Sequence, residues 1–203
     1  MVIKASIWSL PILVGLLVGG CGLFETRDPQ KPGSTVDCGL PLTTGTPAVI
    51  FNIQSFYGRP ASEVCYANLI DTSFTFHPDA QDSSLFLPEI PFVGWDYNVE
   101  LSVNSRVAST QDYIQVFFTS QYASAIISPD QNTELRFWNY QVRVRDDSLL
   151  VANDTLRFTG KADLTLQRGS NGEWKLTNWI DHRGGATPDS TWGRLRGIYR
   201  IGS

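Results

Sequence analysis

The chain has 203 residues, 42% of them hydrophobic, 12% aromatic and 18% charged, a balance that builds a packed core and excludes a disordered polymer. A formal charge of −4 argues against a nucleic-acid partner, because such proteins present clustered excess Lys and Arg. Two histidines and three cysteines leave few ligands for an all-protein zinc cage, and no metal or cofactor is expected.

Residues 1–20 read as an export signal. Lys4 is followed by an apolar run from Ile7 to Val18 and by the small residues Gly19 and Gly20, which is the layout of a cleaved leader. The run falls short of the ~20 residues a spanning helix needs, and Pro11 interrupts it. The stretch Leu17-Val18-Gly19-Gly20-Cys21 resembles the lipobox of bacterial lipoproteins. That resemblance implies cleavage before Cys21 and a diacylglycerol on its thiol, giving a mature N-terminus with two or three acyl chains such as palmitate. At about 0.8 kcal/mol per buried methylene, two chains anchor a protein stably to a lipid bilayer. Gly22 rather than Asp follows the cysteine, which by the sorting rule of two-membrane bacteria favours the outer membrane over the inner one. The expected location is therefore the cell envelope.

Residues 21–45 are rich in Pro, Gly, Thr and Asp without apolar periodicity, the composition of a flexible tether. Export implies an oxidising compartment. Cys38 and Cys65 are then either a disulfide that pins the tether to the first helical region or two separate thiols; sequence does not carry the geometry that decides.

Residues 46–203 read as one domain. Thr46-Pro47 is a helix opening, with a hydroxyl cap followed by a proline whose missing N–H costs nothing. Val49, Ile50, Ile53, Phe56 and Tyr57 follow at helical spacing, and Gly58 and Pro60 end the helix. A second short helix starts at Ala61 or Ser62 with Val64, Tyr66, Leu69 and Ile70 inward. Asp71-Thr72-Ser73 breaks it, and Phe74-Thr75-Phe76 is a short strand. Residues 80–91 read as a loop with at most one helical turn. The segment from Trp95 to Val107 fits either period. Beyond it the period is two: the run from Asp112 to Tyr122, then alternations at Trp138–Val144, Leu156–Leu166 and Trp174–Ile180. One apolar face and one polar face describe antiparallel strands packed on a single side. Asp146-Asp147-Ser148 and Gly169-Ser170-Asn171-Gly172 are hairpin-type turns. The order of elements predicts an α+β fold, with N-terminal helices packed on a curved antiparallel sheet of four long strands.

The Thr46-Pro47 helix start, the passage Tyr66-Ala67-Asn68-Leu69 with Asp71 and Phe74-Thr75-Phe76, and the final strand from Gly172-Glu173-Trp174 to Trp179-Ile180-Asp181 are similar to the NTF2-like superfamily, the cone-shaped fold that includes SnoaL-like and ketosteroid-isomerase-like proteins. Trp95-Asp96 with Glu100, and Thr191-Trp192-Gly193-Arg194-Leu195-Arg196, look like uncharacterised lipid-anchored members. The resemblance implies a pocket between helices and sheet and favours a helix at Trp95–Val107. In the enzymes of that superfamily an Asp or His base faces a Tyr or Asp donor.

Tyr57, Tyr66, Trp138, Tyr140 and Asn178 are the expected pocket-lining residues, and no residue aligns as catalytic. Asn178 shares parity with Trp174, Leu176 and Ile180, so its amide should point inward and find a partner. Asp181 has the opposite parity and should face away from the core. Asp71 reads as a turn residue, and His77 and His182 as solvated. Trp179 should sit on the outer sheet face, where Thr191–Ile201 could pack as an arm with Trp192, Leu195, Ile198 and Tyr199 inward and Arg194, Arg196 and Arg200 outward. These readings favour a lipid-anchored, non-catalytic binding or accessory module, with an envelope protein or a second copy as partner. The alternatives are a small-molecule isomerase or dehydratase working in the cone, and a structural subunit dimerising through its sheet.

Overall fold

The computed structural model describes residue 38 and residues 45–60, 62–86, 92–111, 113–145, 155–184 and 190–201. The predicted leader, Cys21, most of the predicted tether and the predicted Asp146-Asp147-Ser148 turn lie outside the described residues. Among the described residues five helices and six strands follow in the order α1 (Thr46–Phe56), α2 (Glu63–Ala67), β1 (Ile70–His77), α3 (Ala80–Leu85), α4 (Tyr97–Thr110), β2 (Tyr113–Gln121), β3 (Ile126–Ile127), β4 (Thr133–Arg145), β5 (Leu156–Arg168), β6 (Trp174–His182) and α5 (Trp192–Ile201). The sheet order is β1-β6-β5-β4-β2, with the short β3 also paired to β4. The fold is the NTF2-like α+β cone. Its sheet contains the four long antiparallel strands the sequence predicts, and two more: β1 lies parallel to β6, and β3 continues the β2 edge.

Each helix has a local cause. Pro47 sits in the first turn of α1, but the cap is Gly45 rather than Thr46, whose hydroxyl instead accepts from Arg136 Nε and Nη2. Val49, Ile50 and Ile53 form its buried face. Gly58 follows at φ 63°, where a side chain would strain the backbone, and an added Cβ would also fall 2.8 Å from Val107 and Ile114. In α2 the expected inward face is only partly right, because Val64 is 52% exposed while Tyr66 is fully buried. The segment beginning at Trp95 resolves as helix: Asp96 caps α4 by accepting from the Val99 N–H at 3.0 Å. The predicted loop after His77 carries the short α3, capped by Asp79.

Three irregularities interrupt the sheet register among the described residues, one of them in β2 between Phe118 and Ser120, and the other two bear on β6. Between Leu166↔Leu176 and Thr165↔Asn178, β6 has one extra residue, Thr177, opposite an unbroken β5. β1 is likewise irregular between Ile70 and Thr75, where Asp71 accepts from the Ser73 N–H and hydroxyl. A bulge in β6 reverses which residues face inward beyond it. Trp174 and Leu176 are buried before it, and Trp179 and Asp181 after it. The concave face closes on Val142, Val144, Phe158, Ala162 and Leu164. α5 packs against α4 and β5.

Cys38 and Cys65 are joined by a disulfide, with Cα atoms 5.7 Å apart. Closing a loop over a sequence separation of 27 lowers unfolded-chain entropy, a contribution of about 3–4 kcal/mol to stability in the loop-closure model.

Candidate functional site

The polar groups of the cone converge on α5. This helix carries Trp192, Arg196 and Tyr199 on one face, at i, i+4 and i+7, and these side chains are 0%, 0% and 6% exposed. Arg196 therefore does not turn outward; it enters the cone. The reason lies on α4, where Glu100 shares a stripe with Val103, Asn104 and Val107 and is also fully buried. Arg196 grips that carboxylate bidentately, Nη2 to Oε1 at 2.8 Å and Nε to Oε2 at 3.1 Å. The Tyr66 hydroxyl donates to Oε1 at 2.7 Å and the Trp95 indole N–H to Oε2 at 2.8 Å. The carboxylate thus receives four donors, which is what makes a buried charge tolerable.

The guanidinium also meets aromatic faces. Its Cζ lies 4.3 Å from the ring centroid of Trp179, 4.4 Å from Phe76 and 4.9 Å from Trp192, so ring quadrupoles add to the ion pair. Burial opposes its charge, but Glu100, Tyr57 and Tyr66 outweigh that and hold its pKa above the ordinary arginine value. Burial pushes the Tyr57 and Tyr66 hydroxyls well above the usual tyrosine range. Both therefore stay neutral.

A second polar centre caps the start of α5. Asp181, 1% exposed, accepts from the Tyr140 hydroxyl at 2.5 Å and from the Gly193 N–H at 2.6 Å. Tyr140 in turn accepts from the Trp192 N–H at 2.8 Å. Burial raises the Asp181 pKa to about 6, partly offset by Tyr140, Arg196, Gly193 and Thr191. The carboxylate also sits at a helix N-terminus, which favours negative charge. β5 makes room for Tyr140: an added Cβ at Gly160 would sit 2.7 Å from both the Tyr140 ring and the His182 carbonyl. Outside this centre, Thr191 donates to Asp82, and Arg183 bridges Asp79 and Asp82 at 3.3 and 2.5 Å. These contacts tie α3 to the end of β6.

Trp192 fills the space between the two centres. Its ring stands edge-on to Tyr57 and Trp179, both at 4.6 Å, and 5.5 Å from Tyr140. Of the expected pocket-lining residues, Tyr57, Tyr66 and Tyr140 meet here. Trp138 is partly buried farther along the same strand face, 6.1 Å from Phe118. Asn178 does not join them: the β6 bulge turns its amide away from the core, and its Oδ1 accepts from the Thr75 hydroxyl at 2.8 Å. The same bulge corrects Asp181 and Trp179, which face inward. His77 is exposed at the end of β1, and His182 ends β6 with Nε2 3.0 Å from Asp163 and a side chain 44% exposed.

Glu100, Arg196 and Asp181 are the residues of this candidate site that the sequence reading missed. For the first two a signal exists: an acid and a base, each on a mainly apolar helical stripe. Among the described residues no group of His, Cys, Asp and Glu could hold a metal ion, and no helix is long and apolar enough to cross a membrane.

No family model matches the chain, and no curated protein matches it in sequence. Solved structures do match it. A candidate aromatic ring hydroxylase from Novosphingobium aromaticivorans shares 7% identity over 73% of this chain and 92% of its own, with a TM-score of 0.54. A candidate scytalone dehydratase from the same species shares 8% over 73% and 91%, with a TM-score of 0.52. A protein of unknown function from Mycobacterium tuberculosis shares 9% over 77% and 84%, with a TM-score of 0.53. Identities this low are likenesses of fold alone.

Proposed function

We propose that this chain is a lipid-anchored envelope protein whose NTF2-like domain serves as a non-catalytic binding or accessory module. The observation that carries the non-catalytic reading is the position of α5. Its Arg196 and the backbone N–H groups of Trp192 and Gly193 consume the acceptors of Glu100, Tyr140 and Asp181, so the acid and base groups of the cone are spent on one another. The anchor reading rests on the leader and Cys21, and the Cys38–Cys65 disulfide supports an oxidising compartment.

One observation favours the enzymatic alternative: Asp181 and Tyr140 form a carboxyl–phenol pair with a raised carboxyl pKa of about 6, a poise suited to proton transfer. Isomerase or dehydratase chemistry on that pair requires α5 to leave its seat.

The two readings separate by complementation of a strain lacking the chromosomal copy. Cys21→Ala should move the protein from the membrane to the soluble fraction, and Tyr140→Phe and Asp181→Asn should complement as well as the natural sequence. Membrane retention of Cys21→Ala would overturn the anchor. Failure of Tyr140→Phe at unchanged protein level would overturn the non-catalytic role.

A further inference from the structure

A hollow of about 590 Å³ lies at the end of β6 away from Asp181, within the ~300–1,000 Å³ of small-molecule sites. Strand pairing sets its floor. Ile127 on β3 pairs with Glu134 on β4, Glu134 pairs with Leu166 on β5, and Arg168 pairs with Trp174 on β6. Paired residues share a face of the sheet. Leu166 belongs to the core, so Glu134, Arg168 and Trp174 continue the core face past the point where side chains fill it. Ser128 and Gln131 line the hollow from the turn between β3 and β4.

The polar groups of the hollow are held in place by the fold. Glu134 is 6% exposed. Its Oε1 lies 2.6 Å from Arg136 Nη2, and that guanidinium also donates to Thr46. Arg168 Nε donates to the Gly172 carbonyl at 3.3 Å, and its backbone N–H to the Asn132 carbonyl at 2.8 Å. In the turn, the Ser128 hydroxyl accepts from the Thr133 N–H at 2.9 Å, and the Gln131 N–H donates to the Ser128 carbonyl at 2.9 Å. Gln131 sits at φ 57°, a left-handed conformation that is costly for a residue with a side chain.

A carboxylate, an amide, a hydroxyl and a guanidinium offer acceptors and donors together. A simple anion would use the donors and meet the Glu134 carboxylate; a simple cation would meet Arg168. The indole of Trp174 and the side chain of Ile127, a residue 58% exposed, add apolar surface beside these groups. A pyranose ring answers both halves of the lining: its hydroxyls each donate and accept, and its C–H face is apolar. We propose that this hollow binds a neutral saccharide unit of a glycan. The site lies apart from the Tyr140–Asp181 pair and from the anchor, so it stands or falls independently of both.

The test uses the full natural chain, purified in a detergent without a sugar headgroup and titrated calorimetrically with cellotriose and with tri-N-acetylchitotriose. Saturable binding of at least one is expected. Sorbitol, whose hydroxyls sit on an open chain, should not bind. Arg168→Gln, at an exposed position, should weaken binding about tenfold or more, the loss expected for a charge-assisted contact. Gln131→Gly should weaken it about three- to tenfold, the range of one neutral hydrogen bond. Its thermal midpoint should stay close to that of the natural sequence, because glycine adopts a positive φ without strain. That variant separates loss of a ligand contact from loss of the fold. No saturable binding of either trisaccharide at about 10 mM, well above the ~1 mM dissociation constant of a weak site, overturns the proposal. Equal binding of sorbitol, or binding that either variant leaves unchanged, overturns it as well.

Discussion

Arg196 and Glu100 lie 96 residues apart in the chain and meet as a bidentate pair with no solvent exposure on either side chain. Desolvating two charges is costly, and here ring faces, Tyr66 and Trp95 share in offsetting the cost. Removing one partner strands the other. Arg196→Met should therefore destabilise the domain by about 3–5 kcal/mol in urea unfolding. Adding Glu100→Gln to that variant should recover part of the loss. A neutral amide can accept from Trp95 through its oxygen and donate to the Tyr66 hydroxyl through its nitrogen, keeping both hydrogen bonds without a buried charge. A double variant no more stable than Arg196→Met alone would show that charge burial is not what the pair balances.

Trp192 is fully buried and stands edge-on to two rings. Trp192→Ala should cost about 3–5 kcal/mol, the range for a large aromatic removed from a packed interior. The Glu100–Arg196 and Asp181–Gly193 contacts still hold α5 in place, so the space should persist as an apolar void between Tyr57, Tyr140 and Trp179. Free indole should then raise the thermal midpoint of the variant in a concentration-dependent way and leave the natural sequence unaffected. Absence of rescue would mean that α5 settles into the space.

What the sequence made legible, and what it hid, is clearest in β6. The alternation of Trp174 and Leu176 is correct, and extending it at period two puts Asn178 inside and Asp181 outside. One added residue, Thr177, inverts both assignments. A bulge has no strong local signature here, because Thr suits a regular strand as well as an irregular one. Apolar periodicity located α1 and the long strands because each buries a single face, whereas the segment that forms α4 fits either period and is favoured as a helix through the family resemblance. The parallel β1 escaped that logic: it is irregular at Asp71–Ser73, so its eight residues look like a three-residue strand. The Glu100–Arg196 pair hid for a different reason. An arginine on an amphipathic helix is ordinarily assigned to the wet face, and only a partner acid on a distant apolar stripe reverses that assignment. The tyrosines needed no such partner, since Tyr57, Tyr66 and Tyr140 are inward on residue type and spacing alone.

Asp181 makes the stability of the domain depend on pH in a direction unusual for a carboxylate. Its pKa is raised to about 6 in the folded state, first by burial, whereas in the unfolded chain it titrates near the ordinary value of about 3.9. Between those two values the native state holds the proton and the unfolded state does not. The contribution of this group to stability is therefore largest below about pH 4 and declines as pH rises through 6. Two units of difference correspond to roughly 3 kcal/mol over the whole window. Asp181→Asn removes the titration. Its amide oxygen can still accept from the Gly193 N–H, and its nitrogen can donate to the Tyr140 oxygen. Urea midpoints taken from pH 4.5 to 7 should show the natural sequence gaining stability on acidification relative to Asp181→Asn. Asp82, whose pKa burial also raises, is present in both proteins and cancels in the difference. Parallel pH curves for the two proteins would show that the Asp181 carboxylate is as comfortable ionised in the cone as in water, and that Tyr140, Thr191 and the first turn of α5 fully replace its solvation.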